Sequence, residues 1–190
     1  MKKLAIFASG TGTNAAKIIE HFKGSNLAEV ALIVCNKPGA GVLAIAEKNQ
    51  IPTLIIEKEQ FNSVSSYLAE LAAFEIDFIV LAGFLWKMPS SIINAYPKSI
   101  INIHPALLPK YGGKGMYGNK VHEAVIAAGD AETGITIHYV NEQYDEGAII
   151  FQASCGIEAG DDAATLATKV HALEHAHFAR VVEALLVLEK

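Results

Sequence analysis

The sequence predicts an α/β fold built on one mostly parallel sheet, with helices on both faces and antiparallel later strands. Three observations lead there. Short apolar, β-branched runs bounded by Gly, Asn or Pro alternate with segments of helical period, which is the pattern of successive βαβ units. The last two strand-like runs are separated only by a polar turn, too short for a crossover helix, so they pair antiparallel. A chain of 190 residues with 52% hydrophobic composition builds one good core and falls short of two, so a single domain over 1–190 is expected.

Element by element, Leu4 to Ala8 reads as the first strand, followed by a helix from about Asn14 to Phe22 that turns Ile18, Ile19 and Phe22 to one side. Val30 to Cys35 is the second strand, Gly41 to Lys48 a helix and Thr53 to Ile56 a short strand. A helix over about Val64 to Ala73 and a strand over Phe78 to Ala82 continue the alternation, giving four right-handed crossover steps once the next strand is added. A helix starts at Pro89, a residue suited to a first helical turn, and stops before Pro97; Ser99 to Ile103 is the next strand. Pro105 to Asn119 is rich in Gly and Pro and reads as a mobile surface loop. Gly134 to Val140 and Ala148 to Ala153 form the hairpin-like pair. Ala163 to Leu188 is a long covering helix, capped by Asp161-Asp162, with Leu166, Val170, Leu173, Val181, Leu185 and Leu188 as its apolar stripe.

Bulk properties exclude several function classes. A net charge of −5 and a pI near 5.8 argue against a basic surface for nucleic acid, so any anionic ligand is bound locally. Cys35 and Cys155 lie far apart without a CxxC pair, which fits a reducing cytoplasm rather than a disulfide framework or a cysteine zinc site. The opening Met1-Lys2-Lys3 and the apolar run that follows are too brief for a signal-peptide core, so no export is expected. The longest apolar run, Phe78 to Trp86, is well below the roughly 20 residues that span a bilayer.

Chemistry concentrates in a few places. Ser9-Gly10-Thr11-Gly12-Thr13-Asn14 joins the first strand to the first helix, where backbone N–H groups converge with the positive end of the helix dipole and hold a phosphate; the plainer alternative is a tight turn without a ligand. Gly10, Gly12 and Ala15 also satisfy GxGxxG/A, but Asn36-Lys37 stands where a dinucleotide site wants an acid at the end of strand two, which disfavours NAD and leaves only an NADP variant. Asn102-Ile103-His104-Pro105 ends a buried strand, and alternation puts Asn102 and His104 on one face. An amide donor beside an imidazole is the set acyl transfer needs, one for a developing oxyanion and one for protons; the alternative is a hydrogen-bonded core histidine. His138 and Asp145 form a further pair, in which the turn carboxylate swings towards His104, raises its pKa and keeps it protonated near neutrality.

Two other patterns carry less. His171-Ala-Leu-Glu174-His175 matches HxxEH, yet no third ligand follows, so a polar helix stripe is the better reading and no metal is expected. Trp86, Lys87 and Met88 follow the fourth strand; they either suit a flat heterocycle or pack beneath the next helix.

Together these positions resemble the phosphoribosylglycinamide formyltransferases of purine biosynthesis over nearly the whole chain. The resemblance rests on Ser9-Gly-Thr-Gly-Thr-Asn14, Asn36-Lys37, Leu81-Ala-Gly-Phe84, Asn102-Ile-His-Pro105 with Leu107-Leu-Pro-Lys-Tyr111, Gly134 to His138, Asp145-Glu-Gly147 and Glu174-His175. It implies a Rossmann-like parallel sheet whose later strands run antiparallel. Gly10, Thr11, Gly12, Thr13 and Asn14 would hold the phosphate of glycinamide ribonucleotide, and Glu174 would contact its ribose. Asn102 and protonated His104 would stabilise the oxyanion formed when the amine attacks the formyl carbon of 10-formyltetrahydrofolate. Asp145 would place a water for proton shuttling, and His138 would support the array. The folate would lie along Leu85, Trp86, Lys87 and Met88, beside Asn102, and against the loop that contains Asn141 and Glu142. The expected partners are these small molecules, with neither nucleic acid nor membrane, and the chain acts as a monomer or homodimer.

The sequence departs from the family pattern at Trp86 and Val64, where many members carry basic residues, and in the loop Tyr111 to Gly118, which is longer and richer in glycine. Among rivals, a methionyl-tRNA formyltransferase would add a basic RNA-contacting domain, and a formyltetrahydrofolate hydrolase a regulatory domain in front. A sugar-nucleotide formyltransferase shares the Asn, His and Asp set and is the closest alternative. A non-catalytic NADP- or nucleotide-binding module would leave Asn102, His104 and Asp145 unexplained.

Overall fold

A computed structural model describes residues 1–188. Seven strands form one sheet: β1 (Lys2–Ala8), β2 (Ala28–Cys35), β3 (Thr53–Ile55), β4 (Phe78–Leu81), β5 (Ile100–His104), β6 (Glu132–Tyr139) and β7 (Ile149–Gly156). Their order is β3-β2-β1-β4-β5-β6-β7. β1 to β5 run parallel, and β6 and β7 are antiparallel, as the sequence predicts. The helices are α1 (Thr13–Phe22), α2 (Gly41–Lys48), α3 (Lys58–Phe61), α4 (Leu68–Ala73), α5 (Ser90–Ala95), α6 (Asn119–Ala128) and α7 (Ala163–Leu188). None is long and apolar enough to cross a membrane among the described residues.

The continuous apolar runs of the central strands follow from cores on both sheet faces. Leu4, Ile6 and Ala8 of β1, with Phe78 and Val80 of β4, join Ile18 and Phe22 of α1, Val42 of α2 and Phe178 of α7. The alternate residues Ala5, Phe7, Ile79 and Leu81 join Phe61 of α3, Leu71 of α4 and Ile92 of α5 on the opposite face. Both layers are thus built from one alternation along each strand.

Four expectations need correction. The helix read over Val64 to Ala73 begins only at Leu68, after the separate short α3, because the Ser63 hydroxyl donates to the Gln60 carbonyl, that of Ser66 donates to the Phe61 carbonyl, and Ser66 and Tyr67 turn left-handed at φ 43° and 56°. Serine side chains of this kind compete with the helical ladder, and Val64 is left 91% exposed. The segment Pro105 to Asn119 is not loose throughout: Ala106 and Leu108 are buried, and Thr136 Oγ1 accepts the Leu108 N–H at 2.9 Å while donating to the Ala106 carbonyl at 2.7 Å. α6, which the sequence reading leaves unassigned, buries Val121, His122 and Val125 and packs on α7. In α7, Asp162 is the cap, accepting N–H groups of Ala164 and Thr165 at 3.0 and 2.8 Å, whereas Asp161 pairs with Lys169. Its buried row is Leu166, Val170, Glu174, Phe178, Val182 and Leu186, so the stripe is rotated from the expected one, and Leu188 is exposed.

Phe178, 1% exposed beneath α7, tests that phase. Phe178→Ala should lower unfolding free energy by about 3–5 kcal/mol in a denaturant titration, whereas Val187→Ala, at an exposed position of the same helix, should stay within about 0.5 kcal/mol. Equal losses from both would contradict the packing described.

Candidate active site

β5 delivers two polar side chains from an otherwise apolar strand: Ile101 and Ile103 face the core while Asn102 and His104 turn to the opposite face. The antiparallel register of β6 sets His138 directly across from Asn102. Opposed residues in such a pair lie within side-chain reach, and Asn102 Nδ2 stands 3.1 Å from His138 Nε2. His138 Nδ1 donates to the Tyr139 carbonyl at 2.9 Å, which leaves the lone pair on Nε2 to accept from Asn102. A register shift between Ile137 and His138 in the pairing with β7 marks a bulge at this point, a common device for re-aiming a side chain.

The turn after β6 then folds back over the pair. A Cβ at Gly147 would overlap the Tyr139 carbonyl oxygen, so only glycine allows this close approach. Asp145 sits left-handed at φ 57°, a conformation that Asp tolerates better than most residues. Its Oδ2 lies 3.6 Å from His104 Nδ1 and accepts the Gly113 N–H at 2.9 Å. Its Oδ1 lies 3.6 Å from His138 Nε2 and 3.5 Å from Asn102 Nδ2. The structure therefore brings Asn102, His104, His138 and Asp145 together.

Burial and charge compete at this cluster. For Asp145, burial raises the carboxyl pKa, but the His138 contact, the neighbouring His104 and the Gly113 N–H outweigh it and hold the group below the ordinary carboxylate value, so it is ionised. For His104, burial is the strongest influence and lowers the pKa; Asp145 and the Tyr111 carbonyl act upward without overcoming it. The expectation that Asp145 keeps His104 protonated near neutrality is thereby corrected: the imidazole is neutral in the free site. Because Nε2 lies 2.8 Å from the Tyr111 carbonyl, an acceptor only, the proton resides on Nε2 and the lone pair on Nδ1, towards Asp145.

The Gly10–Asn14 turn lies at the other end of the same cleft. α1 begins at Gly12, left-handed at φ 79°, with no side-chain cap and no acidic residue in its first turn. Its first N–H groups are thus open to an anion, as at helix N-termini generally. Gly12 and Gly41 let α2 approach closely, since a Cβ at either would press on Val42 or on the Thr11 backbone. The Ser9 N–H donates to the Gly83 carbonyl at 3.1 Å and the Leu85 N–H to Ser9 Oγ at 3.0 Å, locking the turn to the exit of β4. Asn14 Nδ2 donates to Glu174 Oε2 at 2.8 Å, while Asn14 Oδ1 is buried without a partner. Burial raises the Glu174 pKa against the opposing effects of Asn14 and His171.

A cleft of about 430 Å³ connects the two ends, lined by Gly10 to Asn14, Leu85, Asn102, His104, Asp145 and Glu174 among others. Several expected contacts fall outside it. Met88 is buried in the apolar core with Ile92 of α5, Trp86 packs on Phe61 and Phe84 with ring centroids 5.8 and 6.2 Å apart, and neither these nor Lys87, Asn141 and Glu142 line the cleft. The packing alternative therefore describes Met88 and Trp86. Of the HxxEH residues, Glu174 accepts from Asn14, and no group of three His, Cys, Asp or Glu side chains placed to share an ion is found among the described residues. Conversely, Lys114, Met116, Tyr117, His122, Tyr144 and His171 line the cleft although they are not among the expected site residues. The glycine-rich run at 112–118 is the signal in the chain for Lys114, Met116 and Tyr117, whereas Tyr144 has none beyond its place beside Asp145.

A family profile described as formyl transferase matches residues 2–182. The chain is 43% identical over 190 residues to a chloroplastic phosphoribosylglycinamide formyltransferase of Arabidopsis thaliana, covering 97% of this chain and 65% of that protein. It thus spans a little under two thirds of the plant relative's length. It is 37% identical over 193 residues to phosphoribosylglycinamide formyltransferase of Bacillus subtilis, covering 99% and 96% of the two chains. The crystal structure of phosphoribosylglycinamide formyltransferase from Bacillus halodurans superposes with a TM-score of 0.89 at 39% identity, over 100% of this chain and 97% of that one. With its fold and the match over residues 2–182 in agreement, the chain belongs to the formyl transferase family.

Proposed function

We propose that this chain, acting as one domain, transfers the formyl group of 10-formyltetrahydrofolate to the amine of glycinamide ribonucleotide, a step of purine biosynthesis. The observation that carries this is a single cleft holding an uncapped helix N-terminus at one end and the Asn102, His104 and Asp145 cluster at the other. The names of the plant and bacterial relatives support phosphoribosylglycinamide as the formyl acceptor. The Gly10–Asn14 turn holds the phosphate, and Glu174 accepts from a ribose hydroxyl. The donor's flat ring system lies beside Leu85 and Asn102, with the backbone from Leu85 onward and the 141–145 turn as its borders. Two free cysteines, Cys35 and Cys155, fit a reducing compartment such as the cytoplasm.

The donor supplies an activated formyl carbonyl; the protein manages charge and protons around it. As the substrate amine attacks, negative charge builds on the formyl oxygen, and Asn102 Nδ2 turns a hydrogen to it in exchange for its long 3.5 Å contact with Asp145. The attacking amine becomes acidic, and neutral His104 takes its proton at Nδ1. The resulting imidazolium lies against ionised Asp145 and keeps its Nε2 bond to the Tyr111 carbonyl. The proton then passes to the leaving nitrogen, and His104 returns to neutral.

A formyl-transfer assay with glycinamide ribonucleotide and 10-formyl-5,8-dideazafolate tests the reading directly; a folded protein that gives no product would refute it. Asn102→Ala should lower kcat by a factor on the order of 10²–10³, the usual cost of one oxyanion donor. Because the reacting form of His104 is neutral and its pKa lies below the ordinary 6.5, kcat/KM should be level above neutrality and fall on acidification with a midpoint under that value. Asp145→Asn removes the charge that works upward on His104, so the midpoint should move to still lower pH while kcat drops roughly 10²-fold. A midpoint displaced to higher pH in that variant would contradict the roles assigned to His104 and Asp145.

A further inference from the structure

Lys114 is the one lysine or arginine among the residues that line the cleft. The same cleft already contains ionised Asp145 and the carboxyl group of Glu174. A phosphate monoester brings close to two further negative charges at neutral pH. The turn that receives it offers backbone N–H groups, hydroxyls and the Asn14 amide, and a helix N-terminus is equivalent to only about half a positive charge. That cradle gives direction to the anion but does not balance it.

Lys114 is placed to do so. Among the described residues it makes no ion pair, whereas its neighbour Lys110 is held by Asp130 at 3.1 Å, outside the cleft. It is exposed and stands between Gly113 at φ 95° and Gly115 at φ 91°, where an added Cβ would meet nothing within 4 Å. Left-handed glycines in open space let the intervening residue swing at small conformational cost. The segment's ends are fixed, by the Gly113 N–H on Asp145 Oδ2 at one side and by the start of α6 at the other. The lysine is therefore tethered beside the reacting groups yet free to choose its partner.

We propose that Lys114 is the counter-cation of the substrate phosphate, reaching across the cleft from the glycine-rich segment to the anion seated on Gly10–Asn14. The inference rests on the reading of that turn as the phosphate site and adds the residue that distinguishes a phosphorylated substrate from its dephosphorylated form. The ammonium is a point charge on a flexible stem, suited to neutralising a phosphate without fixing its orientation.

The test is steady-state kinetics of Lys114→Met and Lys114→Arg with glycinamide ribonucleotide and with the corresponding riboside that lacks phosphate. Lys114→Met should raise KM for the ribonucleotide roughly tenfold or more, the scale of one charge-assisted hydrogen bond. It should leave KM for the folate donor within about twofold, and Lys114→Arg should recover most of the loss. Added salt should weaken ribonucleotide binding to the wild type more than to Lys114→Met, since exposed charge pairs are screened. With the riboside, wild type and Lys114→Met should behave alike. A rise in the donor's KM instead, an equal loss with the riboside, or no change at all would overturn the proposal. If the wild type itself fails to formylate the ribonucleotide, the proposed function falls, and the role of Lys114 is then decided by titrating inorganic phosphate while following the amide resonances of residues 10–14. Weaker phosphate binding by Lys114→Met supports it, and equal binding overturns it.

Discussion

The site depends on one reversal of direction in the sheet, the antiparallel pairing of β6 with β5. A sixth parallel strand would arrive by a crossover helix, and its successor would leave from the far end of the sheet. Antiparallel pairing instead sets His138 across from Asn102 and lets a short turn fold back over both. The bulge at Ile137/His138 and the absence of a Cβ at Gly147 bring that turn close enough for Asp145 to stand 3.6 Å from each of two imidazoles. The parallel half of the sheet supplies the other requirement, a strand that ends at the N-terminus of α1. Ligands in open α/β sheets gather at strand ends of this kind, and here the Gly10–Asn14 turn and the polar cluster share one cleft because β1, β4 and β5 are adjacent.

Within the cluster the physics is a contest between desolvation and attraction, and the two partners settle it differently. Burial works against charge on both His104 and Asp145, yet Asp145 is ionised because the polar groups converging on it, the Gly113 N–H among them, outweigh burial. His104 has one carbonyl and one carboxylate at more than hydrogen-bond length, and burial prevails. The consequence for catalysis is favourable. An interaction accelerates a step only if it is stronger in the transition state than before it. In the reaction we propose, attraction between Asp145 and a charged His104 arises only as His104 takes up a proton, so the carboxylate would act where it lowers the barrier rather than where it merely stabilises the resting protein.

Much of this is legible in the chain because it is local. The turn at Ser9 to Asn14 and the Asn102-Ile-His-Pro105 strand end announce themselves by residue type and alternation, and the antiparallel pairing of β6 with β7 follows from a connection too short for a crossover. What is not legible depends on depth and on neighbours far away in sequence. Met88 follows a strand end like any ligand-lining residue, and nothing nearby in sequence tells that it points into the core beneath α5. The protonation of His104 escapes a reading of the chain because a nearby carboxylate can be read from it and desolvation cannot. α6 begins at Gly118 without a side-chain cap, straight out of a glycine-rich segment, so its start carries no signal, although its apolar period does. The phase of α7 is hidden because the helix packs on α1 and α6 as well as on the sheet, which leaves apolar residues on more than one side.

That rotated phase matters for the site. A carboxylate in the buried row of a long helix is costly unless it is paired, and Glu174 occupies such a position at 5% exposure. Its partner is Asn14, 160 residues earlier, at the opening of α1. The bond fixes the amide so that Nδ2 faces Glu174 and leaves Oδ1 buried without a donor. An acceptor held in that state is incomplete until something with a hydroxyl or N–H group arrives, because a buried polar atom without a partner carries a free-energy cost. α7 is therefore more than a cover for the sheet. Its phase sets Glu174 on Asn14, and that contact orients the amide at the opening of α1, beside the turn where we propose the substrate phosphate binds.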